Sequence, residues 1–512
     1  MTIRKMDRRG TLHGFGQLVK TKITQTVAKL SKTVYFKYFL LFILIYCVAL
    51  IPLFRANFNY IDDIGRVTEG YQFHFSRFTS DGLSGIDPDG GEFLADISPF
   101  TQLIAIVFLS ISSVIAIYLL TEQKKDSKIN LWYFCAALPI GLSPYFMENM
   151  SYKFDSPYMA LSILCAISPL IFYHPDKRPL GFMLAGIIST IVVCTTYQSS
   201  TGIFPAMVIL LALAMFNRKE NWNDILRFVL CAVGAYIAGM LIFRFFIMES
   251  TLESGYVDSD LIEIGNFVPG VIGHYLDYAK RFYNDFSTKW LIALVIIVVG
   301  FIVTNCINTK RHKCAAFFAS ILALVAVGAL SFGVYPFIKQ PIFEPRAMYG
   351  SFTSLALLAI VAVDFKKAYL PKLCVAYIAY AFIVFAMAYG NALNVQQTYA
   401  EYRIYLVAND LNSIYAEDSD KLQLDVDGTI GLAPPVENLA NKKYPVIRRL
   451  VPVLFRDDDW VWGTAMFSYG HYPINNMVRR TEEFNVSAME LVCSTRLHDI
   501  YQDGEKVLVE LK

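Results

Sequence analysis

The run Phe36-Lys-Tyr-Phe-Leu-Leu-Phe-Ile-Leu-Ile-Tyr-Cys-Val-Ala-Leu-Ile-Pro-Leu-Phe54 decides what kind of protein this is. A helix needs about 20 residues to cross a hydrocarbon core of about 30 Å, and this run carries a single charge, Lys37, at its start. Comparable runs follow near 98–120, 129–147, 158–174, 180–197, 201–216, 228–248, 289–308, 314–333, 349–363 and 373–391, which predicts about eleven crossings. With 55% hydrophobic and only 17% charged residues among 512, most of this chain has lipid as its solvent.

The gaps between these runs alternate in charge. The N-tail 1–35, Lys124/Lys125/Lys128, Lys177/Arg178, Arg218/Lys219/Arg227, Lys310/Arg311/Lys313 and Lys366/Lys367/Lys372 form one set, which the positive-inside rule places in the cytoplasm. The other set, 55–97, 148–157, 198–200, 249–288, 334–348 and the tail 392–512, then faces outward and holds every long connection. The expected protein is polytopic and α-helical: a basic N-tail, a membrane domain over 36–391 and an outer C-terminal domain over 392–512. That last segment starts with a helical pattern (Tyr399 to Tyr415) and continues as alternating stretches at 422–426 and 506–511, which predicts a small α/β domain.

A net charge of +2, with basic residues spread between apolar runs, gives no patch for nucleic acid. Eight of the nine cysteines lie in or beside apolar runs, where they pack as small hydrophobes, and only Cys493 falls in a clearly polar region. No disulfide among the polar segments and no structural metal are expected, since CxxC and Cys/His spacings are absent.

The outward segments hold the residues suited to chemistry. The first begins Phe58-Asn-Tyr-Ile-Asp-Asp-Ile-Gly-Arg66, with Asp62 and Asp63 within about ten residues of the first span. Neighbouring residues point apart on a helix or strand, so the two carboxylates would not share one proton. One suits a base and the other a binding group, or both are simply loop carboxylates or a helix N-cap. The second, Glu148-Asn-Met-Ser-Tyr-Lys153-Phe-Asp155-Ser-Pro157, is dense in polar groups for a short link, as in a cavity lining or an ordinary hairpin cap. Arg244 lies inside Met240–Met248 and either snorkels to the interface or, with Lys280 and Arg281 or with Arg346, clamps a phosphate. The segment Phe267 to Tyr278 is amphipathic. In Arg456-Asp-Asp-Asp-Trp-Val-Trp462, Trp460 and Trp462 offer flat faces for a sugar ring or an interface anchor.

Taken together, the chain resembles the Gtr family of serotype-converting O-antigen glucosyltransferases. The resemblance rests on Asn59-Tyr-Ile-Asp-Asp-Ile-Gly-Arg66 with Gly70-Tyr71, on Leu142-Ser-Pro-Tyr-Phe-Met-Glu-Asn-Met-Ser-Tyr152 with Phe154-Asp-Ser156, on Tyr197-Gln-Ser199, and on the outer C-terminal domain. It implies a GT-C-like architecture in the bacterial inner membrane, with the N-terminus cytoplasmic and the C-terminus periplasmic. The implied donor is a sugar, glucose in family members, on undecaprenyl phosphate; the acceptor is a sugar of the O-antigen repeat of lipopolysaccharide. In this chain Asp62 or Asp63 would be the catalytic base. Arg66, Lys153, Arg244 and Arg346 would bind the donor phosphate, and Glu148, Asn149, Tyr152, Asp155, Trp460 and Trp462 would contact sugar. Membrane lipid, a donor synthase and a small flippase are the implied partners. No cofactor is expected, and a divalent metal is left open. The competing reading is a transporter or flippase of a lipid-linked sugar, against which stand the absence of an inverted repeat and the gathering of long loops on one side.

Overall fold

The computed structural model describes residues 33–68, 76–85, 95–121, 130–173, 179–248, 260–414, 423–457, 466–467, 476–477 and 486–512. The basic N-tail to residue 32, Gly70-Tyr71, Trp460 and Trp462 lie outside the described residues.

The helices, in chain order, are α1 (Val34–Ala56), α2 (Asp62–Thr68), α3 (Phe78–Ser84), α4 (Phe100–Leu120), α5 (Leu131–Leu142), α6 (Pro144–Ser151), α7 (Ser156–Phe172), α8 (Leu180–Thr196), α9 (Gln198–Asn217), α10 (Trp222–Ile247), α11 (Phe267–Asp285), α12 (Thr288–Asn308), α13 (Lys313–Leu330), α14 (Pro345–Ala362), α15 (Tyr369–Ile414), α16 (Pro434–Lys442) and α17 (Ile447–Leu450). Eight of them are long and apolar enough to cross a membrane, and α5, α7 and α8 are shorter apolar helices at the remaining predicted positions. The chain is thus a polytopic helical membrane protein.

α1 shows how a span is patterned. Tyr38, Phe42, Tyr46, Ala49, Leu50 and Leu53 are buried while Leu40, Leu44, Val48 and Ile51 are exposed, so one helical stripe meets protein and the opposite one meets lipid. The buried stripe packs on α4 and α15. Gly390 of α15 permits the close approach, because a Cβ there would stand 2.3 Å from the Leu53 nitrogen. α14 is the most enclosed span.

Contacts between connections sort them into two ends. At one end the Tyr38 hydroxyl meets Asn130, Tyr133 meets Asp364, the Lys310 amide donates to the Asn217 carbonyl, and Arg311 donates to the carbonyls of Phe216 and Glu220. These are the basic gaps. At the other, loop-rich end Arg55 donates to Asn391, Ser98 to Asn57, and the Asn149 amide to the Arg346 carbonyl. Among the described residues, the basic gaps near 218 and 310 thus meet one another, and the start of α5 meets the gap after α14.

Two boundaries differ from the sequence reading. The apolar run 129–147 is not one straight helix: α5 ends at Leu142, Ser143 is extended (ψ 146°) and caps the Phe146 amide, and α6 restarts with Pro144. Glu148 and Asn149, expected in an outer loop, are consequently buried on a helix. The run 373–391 is part of α15, 46 residues long, which at about 1.5 Å per residue reaches roughly twice the membrane core. α15 passes unbroken through residue 391 and carries the C-terminal region.

That region holds a five-stranded sheet of order β2-β1-β5-β4-β3, from β1 (Gln423–Gly428), β2 (Asn476–Met477), β3 (Glu490–Ser494), β4 (His498–Asp503) and β5 (Lys506–Leu511). β1 runs parallel to β2 and β5, whereas β3, β4 and β5 form an antiparallel meander. The predicted strands at 422–426 and 506–511 are thus central neighbours, and the β3–β4 hairpin was not foreseen. Arg403 of α15 ties helix to sheet by donating to the carbonyls of Leu497 and Lys512.

Candidate active site

The site begins where α1 ends. Asn57 leaves the helix in the left-handed region (φ 46°), and Ile61, directly before Asp62, is held at φ 41°. A β-branched residue at positive φ persists only where its surroundings impose it. Here the Asp63 amide donates to the Tyr60 carbonyl (2.9 Å) while the Tyr60 amide donates to Asp63 Oδ2 (2.9 Å), a reciprocal lock around Ile61. The Tyr60 hydroxyl anchors the turn by donating to the Leu450 carbonyl at 2.7 Å.

Asp63 is fully buried, and its Oδ2 also accepts the Lys153 amide at 3.1 Å. Its other oxygen has no hydrogen-bond partner among the described residues. Burial therefore pushes its carboxyl up to about 8, against the two backbone donors that pull it down. Asp62, about 100° around the helix start, is only partly buried and accepts no hydrogen bond from a described residue. It lies in the electrostatic field of Arg66, Tyr152 and Asp155.

Beneath the pair runs a carboxylate–guanidinium network. Arg66 Nε and Nη2 donate to Asp155 Oδ2 and Oδ1 at 3.1 and 3.0 Å, with both side chains almost fully buried. Burial pushes the Asp155 carboxyl up, opposed by Arg66 and then Arg77. Burial alone would lower the Arg66 guanidinium, but Asp155, Asp62 and Asp63 together hold it above its ordinary value. Lys153 Nζ is taken by Asn59 (2.6 Å) and Asp96 (3.0 Å). Asp96, although burial raises it, is drawn below the usual carboxylate range by Ser98 and Lys153.

Two further guanidinium groups are partly exposed. Arg346 donates through its amide and Nη1 to the two oxygens of Glu148, both at 2.7 Å, and lies 5.7 Å over the Tyr152 ring. Arg77 lies 4.9 Å over the Tyr197 ring and 3.5 Å from Asp155. Their side chains are 17% and 14% exposed, against 1% for Arg66. The Tyr197 hydroxyl donates to the Arg346 carbonyl at 3.1 Å, and the charges of Arg77 and Arg346 both act on this tyrosine. Tyr152 Oη and Asn149 Oδ1 are buried beside them and have no hydrogen-bond partner among the described residues.

The structure thus brings together Asp62, Asp63, Arg66, Glu148, Asn149, Tyr152, Lys153, Asp155 and Arg346 from three separate stretches of chain. Arg244 pairs instead with Asp260 at 3.8 Å, both about half exposed, outside this network. Arg281 stacks 4.5 Å over Phe343 rather than joining Arg244. The sequence reading missed Arg77 and Asp96, which sit in the first outer loop with no apolar pattern to place them.

Fold and site together define a multi-pass membrane protein with a buried cluster of carboxylates and guanidinium groups at the loop-rich end of its bundle. Residues 51–357 match the glucosyl transferase GtrII family, a stretch that spans every residue of this network. The chain belongs to that family and is a membrane glucosyltransferase. It is also similar to an uncharacterized 55.3 kDa protein in the gtrB 5′ region of Salmonella phage P22, 24% identical over 441 residues that cover 81% of this chain and 86% of the relative. No solved structure matches it.

Proposed function

We propose that the protein moves glucose from undecaprenyl phosphate to a hydroxyl of the O-antigen repeat on the periplasmic face, with inversion, and so changes lipopolysaccharide serotype. The observation that supports this most is the contrast between the two aspartates: Asp63 is locked inside by two backbone amides, while Asp62 stands partly exposed and accepts no hydrogen bond from a described residue. As the acceptor oxygen bonds to the anomeric carbon, Asp62 takes its proton. The bond from that carbon to the phosphate oxygen breaks, and undecaprenyl phosphate leaves with the electron pair. One displacement inverts the centre. The donor phosphodiester carries one negative charge and the departing monoester carries more, so Arg77 and Arg346 stabilise the transition state more than the bound donor. Arg66 and Lys153, engaged by Asp155 and by Asn59 and Asp96, shape the pocket and hold the loop.

The GT-C-like arrangement, the cytoplasmic N-terminus and the periplasmic C-terminus belong to the same reading, supported by the basic end of the bundle. A donor synthase and a small flippase would supply the lipid-linked sugar.

The test compares lipopolysaccharide from cells making the wild-type protein, the Asp62→Asn variant or neither. Mass analysis should find one added hexose per modified repeat in the wild type alone, and NMR should give an anomeric configuration opposite to the donor's. An unchanged glycan would return the transporter reading, and a retained configuration would remove the single displacement.

A further inference from the structure

The C-terminal sheet brings together three residues that are far apart in sequence. Asp410 lies near the end of α15, Cys493 on β3 and His498 at the start of β4. One ligand atom from each lies within 4.8 Å of the others. Asp410 Oδ2 is 2.9 Å from His498 Nε2 and 3.9 Å from Cys493 Sγ. Around a tetrahedral ion with bonds of about 2.0–2.3 Å, neighbouring ligand atoms stand roughly 3.3–3.8 Å apart. The three atoms bracket that range, so small side-chain adjustments would seat an ion.

The surroundings suit a ligand set. His498 is buried, and its Nδ1 faces the Thr495 hydroxyl at 3.4 Å, which leaves Nε2 toward Asp410. Thr495 is itself fixed, accepting the amides of Leu497 and His498 at 3.1 and 3.0 Å, the outer support that metal-bound imidazoles usually have. Nearby charges are engaged elsewhere: Arg403 by Tyr399 and the Leu497 and Lys512 carbonyls, and Asp499 by Lys512 and Ser494. A thiolate, a carboxylate and a neutral imidazole neutralise a divalent ion, and the mix of S, N and O favours zinc over magnesium or calcium.

We propose that Asp410, Cys493 and His498 form a three-ligand site for a zinc-class divalent cation, completed by water, which pins the β3–β4 edge of the sheet to α15. No sequence spacing announces it, because Asp410 and Cys493 are 83 residues apart.

The full-length protein, purified in detergent without a polyhistidine tag, is stripped with chelator, reloaded with zinc, dialysed and analysed for metal. About one zinc per chain is expected, falling at least tenfold in both Cys493→Ser and Asp410→Asn. Cys493→Ser leaves the Asp410–His498 contact available, so its melting curve separates loss of metal from loss of fold. Cobalt loading of the wild type should add a near-ultraviolet thiolate-to-cobalt absorption. Absence of bound zinc and of that band, or zinc content unchanged in both variants, would overturn the site.

Discussion

Asp63 reaches across the loop-rich end to the backbone of Lys153, its Oδ2 accepting that amide at 3.1 Å while it accepts the Tyr60 amide at 2.9 Å. This carboxylate joins the loop after α1 to the link between α6 and α7, and by doing so it fixes where its neighbour Asp62 stands. The two acids that look equivalent in sequence therefore stand in different surroundings.

Asn in place of Asp63 retains a carbonyl oxygen for both amides, whereas Asn in place of Asp62 removes the proposed base. Transfer rates should fall about 10²–10⁴-fold in Asp62→Asn and stay within about tenfold of wild type in Asp63→Asn, at matched membrane abundance. The reverse order would move the base to Asp63.

Stability should carry the signature of Asp63. Its carboxyl rises from 3.8 to about 8 on folding, so between those values the folded chain holds a proton that the unfolded chain has lost. Stability from this group is therefore full at low pH and declines as pH rises from about 4 to about 8. The difference in thermal midpoint between wild type and Asp63→Asn, followed across that window, should change with this sign; a flat difference would mean that Asp63 folds ionised.

The Arg66–Asp155 pair is buried and bidentate, so Asp155→Ala leaves a guanidinium without its main partner in the interior. The expected cost is about 3–5 kcal/mol in unfolding experiments in detergent. Arg66→Lys should restore little, because an ammonium cannot reproduce the fork. A loss below about 1 kcal/mol for Asp155→Ala would show that water or a neighbour reaches the pair.

If Arg77 and Arg346 hold the donor phosphate and stabilise it as it leaves, alanine at either should lower kcat/KM for the polyprenyl-phosphate donor about 10–100-fold, the worth of a charge-assisted hydrogen bond, through a fall in kcat larger than the rise in donor KM, with a smaller change in the KM for acceptor. Arg244→Ala should stay within about twofold, since its contact with Asp260 is long and half exposed. Equal losses for donor and acceptor would assign the two arginines to folding instead.

Gly390→Ala tests the packing that carries the C-terminal region. The added Cβ would press on the Leu53 nitrogen at 2.3 Å, and overpacking of this kind costs about 1–3 kcal/mol. An unshifted melting curve would show that α1 and α15 can separate there without loss.

Local sequence carries the membrane character and the positions of the apolar helices. Those features follow from local composition: a span needs only length and apolarity. It also marked Asp62, Asp63, Glu148, Asn149, Tyr152, Lys153, Asp155 and Arg346 as residues of interest, because polar groups stand out against apolar runs. Only the tertiary structure decided their partners. That Arg66 is engaged by Asp155, that Arg346 rather than Arg244 faces Glu148, and that Arg77 enters the network depends on contacts between segments 78 to 198 residues apart. The difference between Asp62 and Asp63 is of the same kind, since it arises from burial and from an amide 90 residues away, and no periodicity within one segment encodes which of two adjacent carboxylates will meet it.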